Sequence, residues 1–293
     1  MHIAPHRLAP ALFALGLAAC GSSAGSASNS PTSGPTRPTD AKAVLAASVA
    51  KATTGSYTAT FTLNEHITLP PGLAGSPGSA GPIDLHLTAS LRAESGQRVA
   101  VTLRGTSGVS GAQEVQTVVY DGIGYLSTDR GGSWKTLNVP ASALQSYGPG
   151  QVLQYLQAAG TVTDVGPGTA DGQHVESYHA ILEPAKAASA MSSVLSSVLG
   201  GDAGGRLASA ITLKNGTADL AVDDAQQPVQ ERFSEAVLID FAKLAGGSSP
   251  LAGATGTATV AVDGACHFAN FGKPQTVTRP TNVVGSINLP STG

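Results

Sequence analysis

Between residues 41 and 53 the apolar positions recur at helical spacing. Ala41, Val44, Leu45, Val49 and Ala52 form one stripe, with Thr39 or Asp40 placed as N-cap and Gly55 as stop. The stripe of Val44, Leu45 and Val49 is expected to pack on a sheet. Past Gly55 the period changes to two and largely stays there. Over 56–68, Tyr57, Ala59, Phe61 and Leu63 share one strand face, opposite Thr58, Thr60, Thr62 and Asn64. Ile83, Leu85, Leu87, Ala89 and Leu91 then alternate with Asp84, His86, Thr88, Ser90 and Arg92, the cleanest alternation in the chain. Ser95-Gly96 turns this strand back into another, over 98–104, in which Val99, Val101 and Leu103 face inward.

The same period predicts a hairpin over 115–127 around Asp121-Gly122, a strand at 133–139, and strands at 162–165, 174–182, 211–214, 217–222, 229–241 and 257–271. Asn215-Gly216 and 223–228 are expected as turns, and the Pro/Gly/Ser-rich stretch 69–82 as a long loop. Helical spacing returns twice. One short helix is expected over 147–159 around Val152, Leu153 and Leu156. A second spans 184–199, with Ala188, Met191, Val194, Leu195, Val198 and Leu199 on one side, Pro184 in its first turn and Gly200-Gly201 as its end. No period of repeat-protein length recurs. The sum is an α+β chain: a large twisted antiparallel sheet of about nine to eleven strands, an N-terminal helix and one or two inserted helices. A sheet with one apolar face must cover that face with helices or with a ligand.

The first residues follow a different logic. Arg7 and the amino terminus precede an apolar run over 8–17, about ten residues long, where roughly twenty are needed to cross a bilayer. That is the pattern of a secretory signal. Leu17-Ala18-Ala19-Cys20-Gly21 resembles the lipobox of bacterial lipoproteins, which implies cleavage before Cys20 and diacylation of its thiol. Two acyl chains make a stable anchor where one gives only marginal binding. The expected division is a signal peptide over 1–19, a flexible Ser/Gly/Pro tether over 20–39, one folded domain over 40–280 and a disordered tail over 281–293. The expected location is the extracytoplasmic face of the cell membrane, with the membrane held through diacylglyceryl-Cys20.

Composition narrows the function. Charged residues make up 12% of the chain and the formal net charge is −3, so no basic patch offers a surface to nucleic acid. Aromatic residues are 4%, so the core must be built from aliphatic and small side chains. Cys266 is the one cysteine besides Cys20, and its neighbours Val260, Val262 and Phe268 mark it as a buried core thiol. His174, Glu176 and Tyr178 share a strand face. With no second cluster at metal-ligand spacing they are expected on a solvated surface, and His66, His86 and His179 at the sheet surface or rim. No nucleophile elbow, phosphate loop or zinc-protease helix occurs, so neither catalysis nor a cofactor or metal is expected. Asn215-Gly216-Thr217 matches a glycosylation sequon but is expected as a turn. Leu289-Pro290-Ser291-Thr292-Gly293 matches the sortase pattern without the apolar span that a sorting signal needs after it.

Several stretches together resemble the LppX/LprG-type envelope lipoproteins, themselves similar to the LolA-like carriers. They are the lipobox, the tether, the helix leading into Ser56-Tyr57-Thr58-Ala59-Thr60-Phe61, Tyr120-Asp121-Gly122-Ile123-Gly124-Tyr125 before Trp134-Lys135, the strand from Asp171 to Tyr178, and Asn270-Phe271-Gly272-Lys273-Pro274. The resemblance implies a half-barrel whose concave face holds the helices around an apolar cavity for acyl chains. On that expectation Phe61, Leu63, Leu85, Leu87, Leu91, Val101 and Leu103 line the floor, and Met191, Val194, Leu195 and Val198 belong to a covering helix. The ligand implied is a lipid or other amphiphile, bound without chemistry, with transport as the role that the resemblance suggests. The alternative is a scaffold whose sheet is filled by its own helices and which docks an envelope protein partner.

Overall fold

The computed structural model describes residues 40–70, 82–95, 98–107, 112–138, 160–187, 201–244 and 255–288. Helix α1 (Ala41–Thr54) leads into strands β1 (Tyr57–Thr68), β2 (Ile83–Ser95), β3 (Arg98–Ser107), β4 (Gln113–Tyr120), β5 (Ile123–Ser127) and β6 (Trp134–Asn138). The hairpin β7 (Gly160–Ala170) and β8 (Gln173–Leu182) follows, then helix α2 (Gly201–Ala210), β9 (Ile211–Val222) and β10 (Pro228–Asp240). A short α3 (Phe241–Leu244), β11 (Thr257–Ala269) and β12 (Val283–Asn288) complete the order. All twelve strands form one open sheet in the order β12-β6-β5-β4-β3-β2-β1-β11-β10-β9-β8-β7. Neighbours are antiparallel except β12, which pairs parallel with β6. The architecture is that of a half-barrel sheet, as expected, with β2 and β1 at its centre.

Helix α1 forms because Asp40 is extended and its carboxylate accepts from the Lys42 amide, while the Gly55 amide closes the far end on the Lys51 carbonyl. Val44 and Leu45 are buried in the main core, and Ser48 is fully buried, with its hydroxyl donating to the Gln226 carbonyl at 3.0 Å. Lys51 reaches the Ala225 carbonyl of the same β9–β10 turn. The N-terminal helix is thereby docked where the chain reverses between β9 and β10.

The alternation in β1, β2 and β3 places every odd-numbered residue on one face. Leu63 lies opposite Leu87, Ala89 opposite Leu103, and Leu91 between Ala59 and Val101. This inner face carries the main core, which runs from β3 through β8 and includes Leu63, Ile67, Leu87, Tyr178, Leu220, Val260 and Phe268. Burying each such side chain is worth roughly 1.5–3 kcal/mol. A smaller core lies on the outer face at the other end, where Val118, Tyr125 and Val277 pack with Ala100, Tyr120 and Trp134. The segment between β11 and β12 crosses that outer face: the Val277 amide donates to Glu94, and Arg279 donates to the Tyr125 hydroxyl.

Four local expectations are corrected. The tail expected from 281 instead supplies β12 over Val283–Asn288, because β6 would otherwise present an unpaired edge. Asn215-Gly216 is no turn: β9 runs through it with a bulge beside Ala236-Val237. Gly216 is required there by close packing, since a Cβ would sit 2.7 Å from Leu182 Cδ1. Helical structure begins at Gly201, where a stop was expected; α2 packs on α3, β9 and β10, and tertiary contact overrides glycine's low helix propensity. Strands number twelve among the described residues, above the expected range. The expected helix over 147–159 lies outside the described residues, as does that over 184–199 beyond a helical turn at 184–187.

Candidate functional site on the inner face of the sheet

The structure brings Phe61, Leu63, Leu85, Leu87, Leu91, Val101 and Leu103 onto one face of three adjacent strands, as alternation requires. Leu63, Leu85, Leu87 and Leu103 are buried in the main core, while Phe61 and Leu91 are half-buried against it and Val101 is half-buried. Met191, Val194, Leu195 and Val198, expected on a covering helix, lie outside the described residues, as does Cys20.

Beyond β1 the face continues over β11 and β10. Phe61 lies beside Cys266, and Cys266 beside Glu231; Leu63 lies beside Gly264, and Gly264 beside Phe233. The Phe233 ring lies over Gly264, where an added Cβ would sit 2.2 Å from Cζ. It stacks toward Phe61 with centroids 6.0 Å apart. Cys266 is a buried thiol, as expected. Farther along, Phe268, Tyr57 and Phe271 form a second aromatic group, with Tyr57 and Phe271 centroids 5.0 Å apart.

Three glutamates interrupt this apolar surface: Glu65, Glu231 and Glu235 are all buried. Glu65 and Glu235 both lie opposite Val262, one on each side of β11. They are therefore two strand spacings apart, roughly 10 Å at the backbone. Glu231 is fully buried, and among the described residues neither of its carboxyl oxygens has a hydrogen-bond partner. Burial pushes its carboxyl well above the ordinary 4.5, and the Glu235 charge pushes it the same way. Burial alone raises Glu65 to about 7. None of the three figured among the expected site residues. The signal was present in the alternation itself, because Glu65 shares parity with Phe61, Leu63 and Ile67, and Glu231 and Glu235 share it with Phe233, Val237 and Ile239.

The outer face is polar. His66 pairs with Asp84 at 2.7 Å, His86 with Asn64 at 2.6 Å and His179 with Asp219 at 2.7 Å, in line with their expected surface positions. A depression of about 530 Å³ there is lined by Asn64, His66, Asp84, His86 and Asp263 together with Leu85 and Ala261. The strand face of His174, Glu176 and Tyr178 is only partly solvated. His174 is exposed near Asp224, but Tyr178 is buried opposite Leu220, because the face that is open at the strand's start enters the core at its middle. Among the described residues no group of three or more His, Cys, Asp or Glu side chains is arranged to hold a metal ion.

The inner face is thus one apolar surface, with aromatic rings near its middle and acids set within it. No family model matches the chain, and no curated protein matches it. Solved structures do. The chain is similar to LprF from Mycobacterium bovis at 14% identity and a TM-score of 0.40, covering 82% of this chain and 97% of that one. Lipoprotein LppX from Mycobacterium tuberculosis matches at 15% identity and a TM-score of 0.35, over 80% of this chain and 98% of that one. A LolA superfamily protein from Nitrosomonas europaea matches at 6% identity and a TM-score of 0.26, over 81% and 94%. All three likenesses are at low identity and at TM-scores below 0.5. Any ligand chemistry has to come from this chain's own residues.

Proposed function

We propose that this protein is an envelope lipoprotein, anchored through Cys20, which binds a lipid or other amphiphile on the inner face of its sheet by burial of apolar surface. The observation that carries the reading is the continuous apolar floor of Leu63, Leu85, Leu87 and Leu103, extended by Phe61 and Phe233 over the middle of the sheet. Burial of acyl methylenes against such a floor releases about 0.8 kcal/mol each and needs no catalytic group. A long flexible tether over 20–39 would let the domain work away from its anchor. Carriage of the ligand between membranes is the activity this build would serve.

A second reading, a non-catalytic scaffold that docks an envelope protein, is favoured by one observation. The inner face is already closed over by this chain, with Leu63 and Val44 each at 1% exposure. Mass spectrometry separates the two. The Cys20→Ser chain, secreted from a lipid-rich bacterial host and purified without detergent, is extracted with organic solvent. A stoichiometric lipid in the extract is the expected result. A folded, lipid-free protein overturns the carrier reading in favour of the scaffold.

A further inference from the structure

Among the described residues, Glu231 is the buried acid of the inner face whose carboxyl oxygens have no hydrogen-bond partner. It sits on β10 between Cys266 of β11 and Leu220 of β9, with the Phe233 ring two residues on, and it has no exposed surface. Protonation would remove the charge, but the neutral acid still carries an O–H donor and a carbonyl acceptor with nothing to meet them. A buried polar group in this condition calls for a partner that the described residues do not supply. An aliphatic residue would suit the place better if only acyl chains ever lay against it.

We propose that Glu231 is the polar recognition point of the inner face, and that the amphiphile taken there presents a hydrogen-bond donor, an amine or a hydroxyl, beside its apolar chains. The inference rests on the carrier reading and adds the class of ligand. Glu235 and Glu65, buried on the same face, favour the same class. An ammonium or hydroxyl head gains acceptors from these acids whether they are neutral or ionised, whereas a carboxylate or phosphate head is repelled by any of them that ionises. The chains would lie on Phe61, Leu63 and Leu87, two to three strands from Glu231, so head and tail are read by nearby parts of one surface. Because Glu231 is covered in the unliganded fold, the ligand reaches it by parting the packing over the inner face.

The test compares three probes of equal chain length, hexadecylamine, hexadecanol and hexadecanoate, each below its aggregation concentration. Binding to the delipidated Cys20→Ser chain is followed by titration calorimetry and native mass spectrometry. The amine and the alcohol are expected to bind about tenfold or more tighter than the acid. Glu231→Leu should erase that preference, keep chain binding and raise the melting temperature of the unliganded protein. If Glu231→Leu fails to fold, Glu231→Gln takes its place and is expected to lose the preference for the amine. Equal or tighter binding of hexadecanoate, or a preference that survives the substitution, overturns the assignment of Glu231 and leaves the carrier reading standing. Failure of all three probes to bind overturns both.

Discussion

Buried glutamates are costly residues, and Glu65 shows the cost most directly. Its carboxyl is raised from 4.5 to about 7 by burial, so the folded state holds a proton that the unfolded chain has already released. Between those two values the native state binds more protons, and stability therefore falls as pH rises from about 4.5 through about 7, then levels with respect to this group. The loss is of order 3 kcal/mol. Glu65→Gln should remove this falling limb while leaving stability near pH 4 little changed, and urea denaturation midpoints across the range measure it. A variant whose profile still fell by the same amount would show that Glu65 is not the group responsible. Burial and the Glu235 charge push the Glu231 carboxyl upward as well, so its effect on stability has the same sign.

Among the elements, β11 is the strand whose sequence is least free. Gly264 sits between Leu63 and Phe233, and the Phe233 ring occupies the space its side chain would take. A glycine inside a strand ordinarily weakens it, but here the neighbouring ring covers the exposed backbone. Gly264→Ala must displace that ring and disturb its stacking with Phe61, at a cost of roughly 1–3 kcal/mol. Pairing it with Phe233→Leu should recover part of the loss, a coupling that a double-mutant cycle in urea would detect. Strict additivity of the two changes would mean that the ring does not depend on the glycine.

At the scale of the whole molecule, the sheet has two unlike halves. Strands β1 to β3 and β8 to β11 share the inner core, while β4 to β6 rely on an outer core completed by Val277 and on β12 pairing along β6. The end of the chain therefore works as a strap across the outer face. Removing residues 277–293 should leave the inner core folded but expose the β6 edge and the Tyr125 cluster. The expected signs are faster amide exchange confined to β4, β5 and β6 and a tendency to self-associate, read by hydrogen exchange and light scattering. Unchanged exchange in those strands would show that they hold together without the strap.

Strand identity was legible in the sequence wherever one face is buried and the other wet, because a period of two leaves a direct trace in residue order. The face shared by Phe61, Leu63, Leu85, Leu87, Leu91, Val101 and Leu103 followed from that trace alone, as did α1, the Asp121-Gly122 hairpin and the buried state of Cys266. Other features depend on partners distant in the chain and leave no local mark. Asn215-Gly216 has the composition of a turn, yet Leu182 packs against that glycine and holds the segment in a strand. Val283–Asn288 has the length of a tail, and only the free edge of β6 makes it β12. The glutamates lie between these cases. Their parity put them on the apolar face from the start, but only the closing of β11, β10 and β9 around Glu231 removed its water and left its oxygens without partners. Periodicity is a property of neighbours in the chain, and desolvation is a property of neighbours in space.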